Sequence, residues 1–507
     1  MALKKCFIDH LDPKYIGFII AYIFFVAISW KDYETSPYFD EYLNTSKRFR
    51  EHTKKIGKFL ESLNSSDLYE INNATESAIK SMGISFRVYT EEYVEGQDRS
   101  WPLDFIPRII RRKEWDKVEK GLEQRVKALN LFIQDCYNDQ KFLKESDMDE
   151  SLITDSPAFK EYCLGMKLKH DSWSSICGSD LIKDKDGKFY VLEDNLRIPS
   201  GVSYMLENRT VMKRVFPDLF KHYGVMPLSA YPAKLYQTLV SLSYSKSRRP
   251  EIVLLTPGIY NSAYFEHSYL AQQMGIDLVQ GTDLVVLKDN FVYKKTIEGL
   301  VRVDVIYRRI DDDFLDPSYG NKDSVLGVDR LIESWKRKQV SIINAPGCGI
   351  ADDKAVYSFV PEMIKYYLKE EPLINNLKTY LMTDKESLTL IEKKFREFVI
   401  KPVAESGGYG IVIGKSASKR EKEDTLKKIK KDPRNYIAQP LALLSTSPTY
   451  SNGFIEPRHL DLRPFILTGA ESYVTVGGLT RVALKKGSTV VNSSQGGGSK
   501  DTWIVDK

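Results

Sequence analysis

The stretch VLEDN, Val191 to Asn195, decides how the rest of the chain is read. As a β-strand it turns Glu193 and Asn195 to one face and Asp194 to the other, because side chains alternate along a strand. Two oxygen donors then stand side by side on a sheet. Upstream, GSDLIKDKDGKFYVLEDN places the turn KDKDG between Asp180 and Glu193, so a hairpin is predicted that returns Asp180 to the same face. Two carboxylates and an amide oxygen suit Mg²⁺, a hard cation that keeps waters and completes its shell with phosphate oxygens. Without a cation such carboxylates repel one another or share a proton. The competing reading is a pair of solvated hairpin acids.

A second informative stretch, KPVAESGGYGIVIG, begins far downstream at Lys401. In a strand FVIKPV, Lys401 shares a face with Val399 and Val403, so an ammonium lies on apolar surface and calls for an anion. The glycines that follow, Gly407, Gly408 and Gly410, permit positive φ and close backbone approach, so their N–H groups can line a phosphate chain. Together they read as a clamp over a nucleoside triphosphate; a hairpin turn with an edge lysine is the alternative. The spacing fits neither a Walker A loop nor the dinucleotide fingerprint. YIAQPLALLS, from Tyr436, offers Gln439 as donor and acceptor to an adenine edge, or is an ordinary core strand. HLDLRPFIL and GGLTRVAL put Arg463 and Arg481 inside apolar strands, where a guanidinium pairs with a carboxylate or a phosphate. Asp461 shares a strand face with Arg463, which makes an internal salt bridge the plainer alternative. NSSQGGGSKDTW, residues 492–503 with Gln495 and Lys500, reads either as a segment closing over a substrate or as a tail.

Composition limits the choices. A chain of 507 residues holds several structural units. Its 74 Lys plus Arg against 69 Asp plus Glu give a mild net charge of +5 with no basic stripe, so nucleic acid is not an expected partner. Five scattered cysteines without a C-x-x-C favour a reduced, cytoplasmic setting over disulfides or zinc. The uncharged run Tyr15 to Trp30 falls just short of the roughly 17 to 25 residues that span a bilayer. It reads as a membrane anchor, a tail added by an upstream start, or an apolar helix docked on the body. Residues 31–150 read as helical, with EWDKVEKGLEQRVKALNLFIQDCYND carrying apolar residues at three- and four-residue spacing. Residues 151–250 hold the acidic hairpin. Residues 251–345 alternate strand and helix (EIVLLTPG, AYFEHSYLAQQMG, IDLVQG, VRVDVIYRR, VSIINAPG), as an α/β unit with a largely parallel sheet does. Residues 346–507 return to short strands around one charged helix, SASKREKEDTLKKIKKDP, read as a solvated surface helix.

On YVLEDNLRIPSG, LTPGIYNSAYFEH, DVIYRRIDDDFLDP, NAPGCGIADDKAVYSFVPEMI, VIKPVAESGGYG, RHLDLRPF and VNSSQGGGSKDTW, the chain resembles the circularly permuted type 2 ATP-grasp family. It is similar, more distantly, to the synthetase domain of glutathionylspermidine synthases. The resemblance implies a mixed α+β and α/β architecture: a circularly permuted ATP-grasp fold, an associated pre-ATP-grasp-like α/β domain over 251–345, and the N-terminal helical region. It implies ATP and Mg²⁺ between two α+β subdomains, and ADP-forming ligation of a carboxylate to an amine through an acyl phosphate. Small amino acids, peptides or polyamines are the implied substrates. It further implies that Lys354 and Lys401 bind nucleotide, Gly407 to Gly410 form the phosphate loop and Gln439 lies at the adenine hinge. Asp180, Glu193 and Asn195 become metal ligands, and Arg481 and Arg463 act on phosphate or substrate. Two positions depart from the pattern: Gly178 stands where the glutathionylspermidine synthases carry an arginine, and Lys183 stands where closer relatives carry one. An ATP-dependent phosphotransferase and a non-catalytic ATP-binding protein are the alternative functions.

Overall fold

Residues 30, 33–35, 37–86, 99–403, 410–451, 453–488, 491 and 497–506 are described by a computed structural model. The apolar run before Trp30, Gly407 and Gly408 of the glycine loop, and Gln495 lie outside the described residues. Among the described residues no helix is long and apolar enough to cross a membrane.

The first half runs α1 (Ser65–Ser81), β1 (Leu103–Arg111), α2 (Arg112–Cys136), β2 (Ile176–Lys183), β3 (Phe189–Asn195) and α3 (Val202–Val215). Asn64 starts α1 with a capping box, its side chain accepting from Ser66 N and Asp67 N. In α2 the buried positions include Trp115, Val118, Leu122, Val126, Leu129, Ile133 and Cys136, a stripe at helical spacing that packs with Leu181 and Val191 of the hairpin. The strand β1 corrects the all-helical reading of 31–150. LDFIPRIIR interrupts its apolar residues with Asp104 and Arg108, and its Pro107 argues against a strand by composition. Pro107 is tolerated because β1 is an edge strand and its register with the last strand shifts between Asp104 and Arg108.

The α/β unit contains β4 (Ile252–Leu255), α4 (Tyr264–Met274), β5 (Asp277–Val279), β6 (Val305–Arg308) and β7 (Ser341–Ile343). Its sheet runs β7-β6-β4-β5 with every pairing parallel, as the strand and helix alternation predicts. VRVDVIYRR is not one strand: it breaks at Asp304, and Gly299–Val303 joins a separate three-stranded sheet. The remainder runs β8 (Tyr380–Leu381), β9 (Phe398–Pro402), β10 (Val412–Ile413), α5 (Lys419–Lys431), β11 (Tyr436–Pro440), β12 (Thr446–Ser451), β13 (Phe454–Arg463), β14 (Phe465–Thr468), β15 (Leu479–Val482) and β16 (Gly498–Val505). α5 buries only Thr425 and Ile429, so it is the surface helix its charge run predicts.

Two sheets frame the site. The large one runs β3-β2-β13-β15-β16-β1 through its centre, with β12 and β14 paired alongside. The small antiparallel one runs β8-β11-β9-β10. β16, near the C-terminus, lies parallel to β1, so the two ends of the described chain close one sheet. There Lys500 is fully buried; its ammonium donates to Asp104, to Ile106 O at 3.1 Å and to Pro448 O at 2.8 Å. This corrects the reading of Lys500 as part of a closing segment: its partners are all structural.

Candidate active site

The hairpin register sets Asp180 opposite Glu193, Gly178 opposite Asn195 and Ser179 opposite Asp194. Antiparallel partners share a face, so Asp180, Glu193 and Asn195 stand together and Asp194 points the other way. The reverse face is structural. Asp194 accepts from Arg125 Nε at 2.9 and 2.8 Å, from Arg125 Nη2 at 2.6 Å and from Ser179 Oγ at 2.8 Å. That pairing ties the sheet to α2.

On the other face, β13 and β15 bring two arginines to Asp180. Arg463 donates through Nε at 2.5 Å and Nη2 at 2.8 Å, and Arg481 Nη2 reaches the same carboxylate at 2.6 Å. Burial alone would raise the Asp180 pKa, but these two guanidiniums hold it well below the usual carboxylate range. Asp461 is not the partner of Arg463. It lies opposite Arg481 in the register and accepts from that residue's Nε at 2.9 Å and Nη2 at 2.5 Å. Gly178 makes room for this arrangement: a Cβ there would lie 3.3 Å from Arg463 Cδ and 3.2 Å from Pro199 Cβ.

The small sheet supplies the second half. Lys401 lies opposite Ile437 and Val399 opposite Gln439, so Lys401 and Gln439 share one face. Lys401 is buried; loss of hydration lowers its pKa to about 8, Glu193 opposes that shift and the Lys354 charge adds to it. Glu193 responds in kind: burial first, then the Asp180 charge, raise its pKa, while Lys354 and Lys401 pull it down. Lys354 Nζ lies 3.9 Å from Glu193 Oε2. Residues remote in sequence are thus in electrostatic contact across the two sheets. Gln439 donates from Nε2 to Thr379 Oγ1 at 3.0 Å, whereas its Oε1 is buried without a hydrogen-bond partner among the described residues. Gly410 adopts φ +69°, and a Cβ there would meet Pro402 Cγ at 2.7 Å, so this last glycine of the loop is required by both backbone and space.

Beside Glu193, Asn195 and Lys354 a cavity of about 190 Å³ also takes in Arg197, Asp311 and Asp352. Arg197 Nε donates to Asp352 Oδ2 at 2.8 Å and Nη1 to Asp311 Oδ2 at 3.2 Å. These three were missed by sequence reasoning. Their signal lay in the quoted stretches, in LRIPSG, RRIDDD and IADDK, but nothing in spacing alone joins them.

Glu193 and Asn195 fit a hard cation. Asn195 uses its amide nitrogen on Gly178 O at 3.1 Å, which leaves the amide oxygen as the other end of that group, and the Glu193 charge is disfavoured until a cation joins it. Asp180 fits one only by exchanging a guanidinium, since both of its oxygens accept from arginine. Among the described residues no group of three or more His, Cys, Asp or Glu forms a metal cluster. Two carboxylates and an amide are the smaller donor set that Mg²⁺ takes when phosphate oxygens complete its shell. The orphan Gln439 oxygen suits the exocyclic amine of an adenine.

Two sheets that face each other across a lysine pair, an arginine pair and a carboxylate hairpin define an ATP-grasp protein. The acidic hairpin precedes Lys401 and its glycine loop along the chain, and the chain belongs to the circularly permuted ATP-grasp type 2 family, whose model matches residues 107–483. It is 47% identical to an uncharacterized protein of Synechocystis over 94% of this chain and 98% of that one. It is 46% identical to an uncharacterized protein of Mycobacterium tuberculosis over 92% of this chain and 84% of that one. A Frankia casuarinae protein with the provisional name glutamate–cysteine ligase 2-2 is 37% identical over 92% of this chain but only 53% of its own length. Among solved structures, a glutathione synthetase-like effector of Globodera pallida superposes with a TM-score of 0.58 at 14% identity, covering 88% of this chain and 98% of that one. At that identity the likeness concerns the fold.

Proposed function

We propose that the chain is an ATP- and Mg²⁺-dependent, ADP-forming ligase that joins a carboxylate to an amine. The observation that carries this reading is the charge set in one buried cleft. Arg463, Arg481 and Lys354 gather with Lys401 around Asp180, Glu193 and Asp461, and Lys401 is buried with its pKa lowered by loss of hydration, so its ammonium lacks sufficient negative charge beside it. A triphosphate supplies the missing negative charge. Lys401 and Lys354 bind its oxygens, Gln439 receives the adenine amine, and Asp180, Glu193 and Asn195 would hold Mg²⁺. The cation would supply charge neutralisation at the phosphates. Arg481 and Arg463, released from Asp180, hold the transferring phosphoryl group and the acceptor carboxylate in line. The carboxylate oxygen attacks the γ-phosphorus as the bond to ADP breaks; a neutral amine then forms the amide and displaces phosphate. Positioning and charge account for the work, so no nucleophilic side chain is needed. The name of the Frankia relative belongs to the same reaction class, but the match spans about half of that protein, and glutamate and cysteine are not carried over from it.

Incubation with ATP, Mg²⁺ and a metabolite extract, followed by mass spectrometry, tests the reading: ADP, phosphate and a new amide are expected. Release of AMP and pyrophosphate would overturn it. Hydroxylamine separates ligation from phosphotransfer, since an acyl phosphate yields a hydroxamate and a phosphate ester does not.

A further inference from the structure

A second cavity, of about 630 Å³, shares no lining residue with the one at Glu193. Its volume is within the roughly 300–1,000 Å³ of small-molecule sites. The floor is the face of α3 that carries Glu207 and, two turns on, Arg214. One wall is the α4 face of Phe265 and Tyr269, the other ends in Phe86, and Asn261 comes from the loop after β4. That loop leaves the C-terminal end of a parallel strand, where open α/β sheets bind ligands.

The chemistry of the cavity is asymmetric. Glu207 is only 8% exposed, and the Tyr269 side chain lines the same cavity. A carboxylate accepts several hydrogen bonds, and burial raises this one's pKa, so it gains from a cationic donor. Phe265 and Tyr269 stack beside it with centroids 6.0 Å apart, giving aromatic faces of the kind that attract ammonium groups. Arg214, by contrast, is exposed. The backbone positions of Glu207 and Arg214 are seven residues apart, a rise of about 10.5 Å along the helix, which matches about three extended residues of about 3.5 Å each. The frame is preorganised. Glu266 of α4 accepts from Gly201 N at 2.8 Å and Ser203 N at 3.1 Å at the start of α3, and Arg309 joins that carboxylate at 3.0 Å to Pro199 O at 2.8 Å.

We propose that this cavity binds a short peptide with free termini, its ammonium on Glu207 among the aromatic rings and its carboxylate on Arg214. The test is calorimetry on the full chain with trialanine, N-acetyl-trialanine and trialanine amide, without ATP. Saturable binding of trialanine is expected, weakened at least about tenfold by N-acetylation and equally by Glu207→Gln, a loss of roughly 1.4 kcal/mol. Arg214→Ala should weaken trialanine but leave the amide unchanged. If Glu207→Gln fails to fold, Tyr269→Phe, which removes only the hydroxyl, is expected to weaken trialanine. No saturable binding of trialanine, equal binding of the N-acetylated peptide, or undiminished binding by these variants would overturn the proposal. Binding is read without turnover, so it stands or falls separately from the ligase reading, which ADP release decides.

Discussion

Glu193 and Asp194 are neighbours in sequence, and the strand gives them opposite fates, so replacing each by its amide should give opposite phenotypes. Asp194 and Arg125 each have side chains 1% exposed and share three contacts of 2.6 to 2.9 Å. Asp194→Asn leaves the Arg125 guanidinium buried without a counter-charge, a change that costs about 3–5 kcal/mol. Glu193 has a side chain 27% exposed, its Lys354 partner is 3.9 Å away, and burial and Asp180 already disfavour its charge. Glu193→Gln therefore removes a repulsion along with a long ion pair, and its net effect on stability is expected within about 1 kcal/mol of zero. Urea unfolding followed by tryptophan fluorescence reads both. The expected result is a large loss for Asp194→Asn and a wild-type midpoint for Glu193→Gln, with turnover abolished only in the second at temperatures where both are folded. An Asp194→Asn protein as stable as wild type, or a Glu193→Gln protein several kcal/mol less stable, would refute the assignment of faces.

Nucleotide affinity should depend on pH through Lys401. In the free protein burial puts its pKa at about 8, and a bound phosphate chain restores the ordinary range, so affinity is full below that value and lost above it. Between pH 7 and pH 9 the dissociation constant is expected to rise about tenfold, and Lys401→Arg to flatten the profile; calorimetry giving equal affinities in wild type would contradict this. Gln439→Leu removes an unpartnered buried oxygen together with one bond to Thr379, so stability should change by less than about 1 kcal/mol while the preference for ATP over GTP is lost. Competition with a fluorescent nucleotide checks it. Lys500→Met strands Asp104 and should cost about 3–5 kcal/mol in denaturation, with most of the loss recovered by adding Asp104→Leu and turnover per folded molecule unchanged.

Much of the site was legible because its parts follow local rules. The alternation in VLEDN separates Glu193 and Asn195 from Asp194, the turn KDKDG returns Asp180, and FVIKPV places Lys401 on an apolar face. What the sequence concealed was pairing between distant strands. Asp461 and Arg463 share a strand face, yet the guanidinium that Asp461 holds is Arg481, because β15 lies beside β13 in that register. Lys500 sits in a glycine-rich stretch that reads as mobile, yet β16 is a central strand and its lysine is sealed against β1.

By itself, then, the sequence determined most of the elements, though not β1 or the break at Asp304, together with the faces of its charged strands and the order of the acidic hairpin before Lys401, since these depend on periodicity and on position along the chain. Only the tertiary structure decided which charges meet. Ion pairing depends on separation through space and on burial, and strand register fixes both for residues as far apart as Asp180, Arg463 and Arg481, or Asp104 and Lys500.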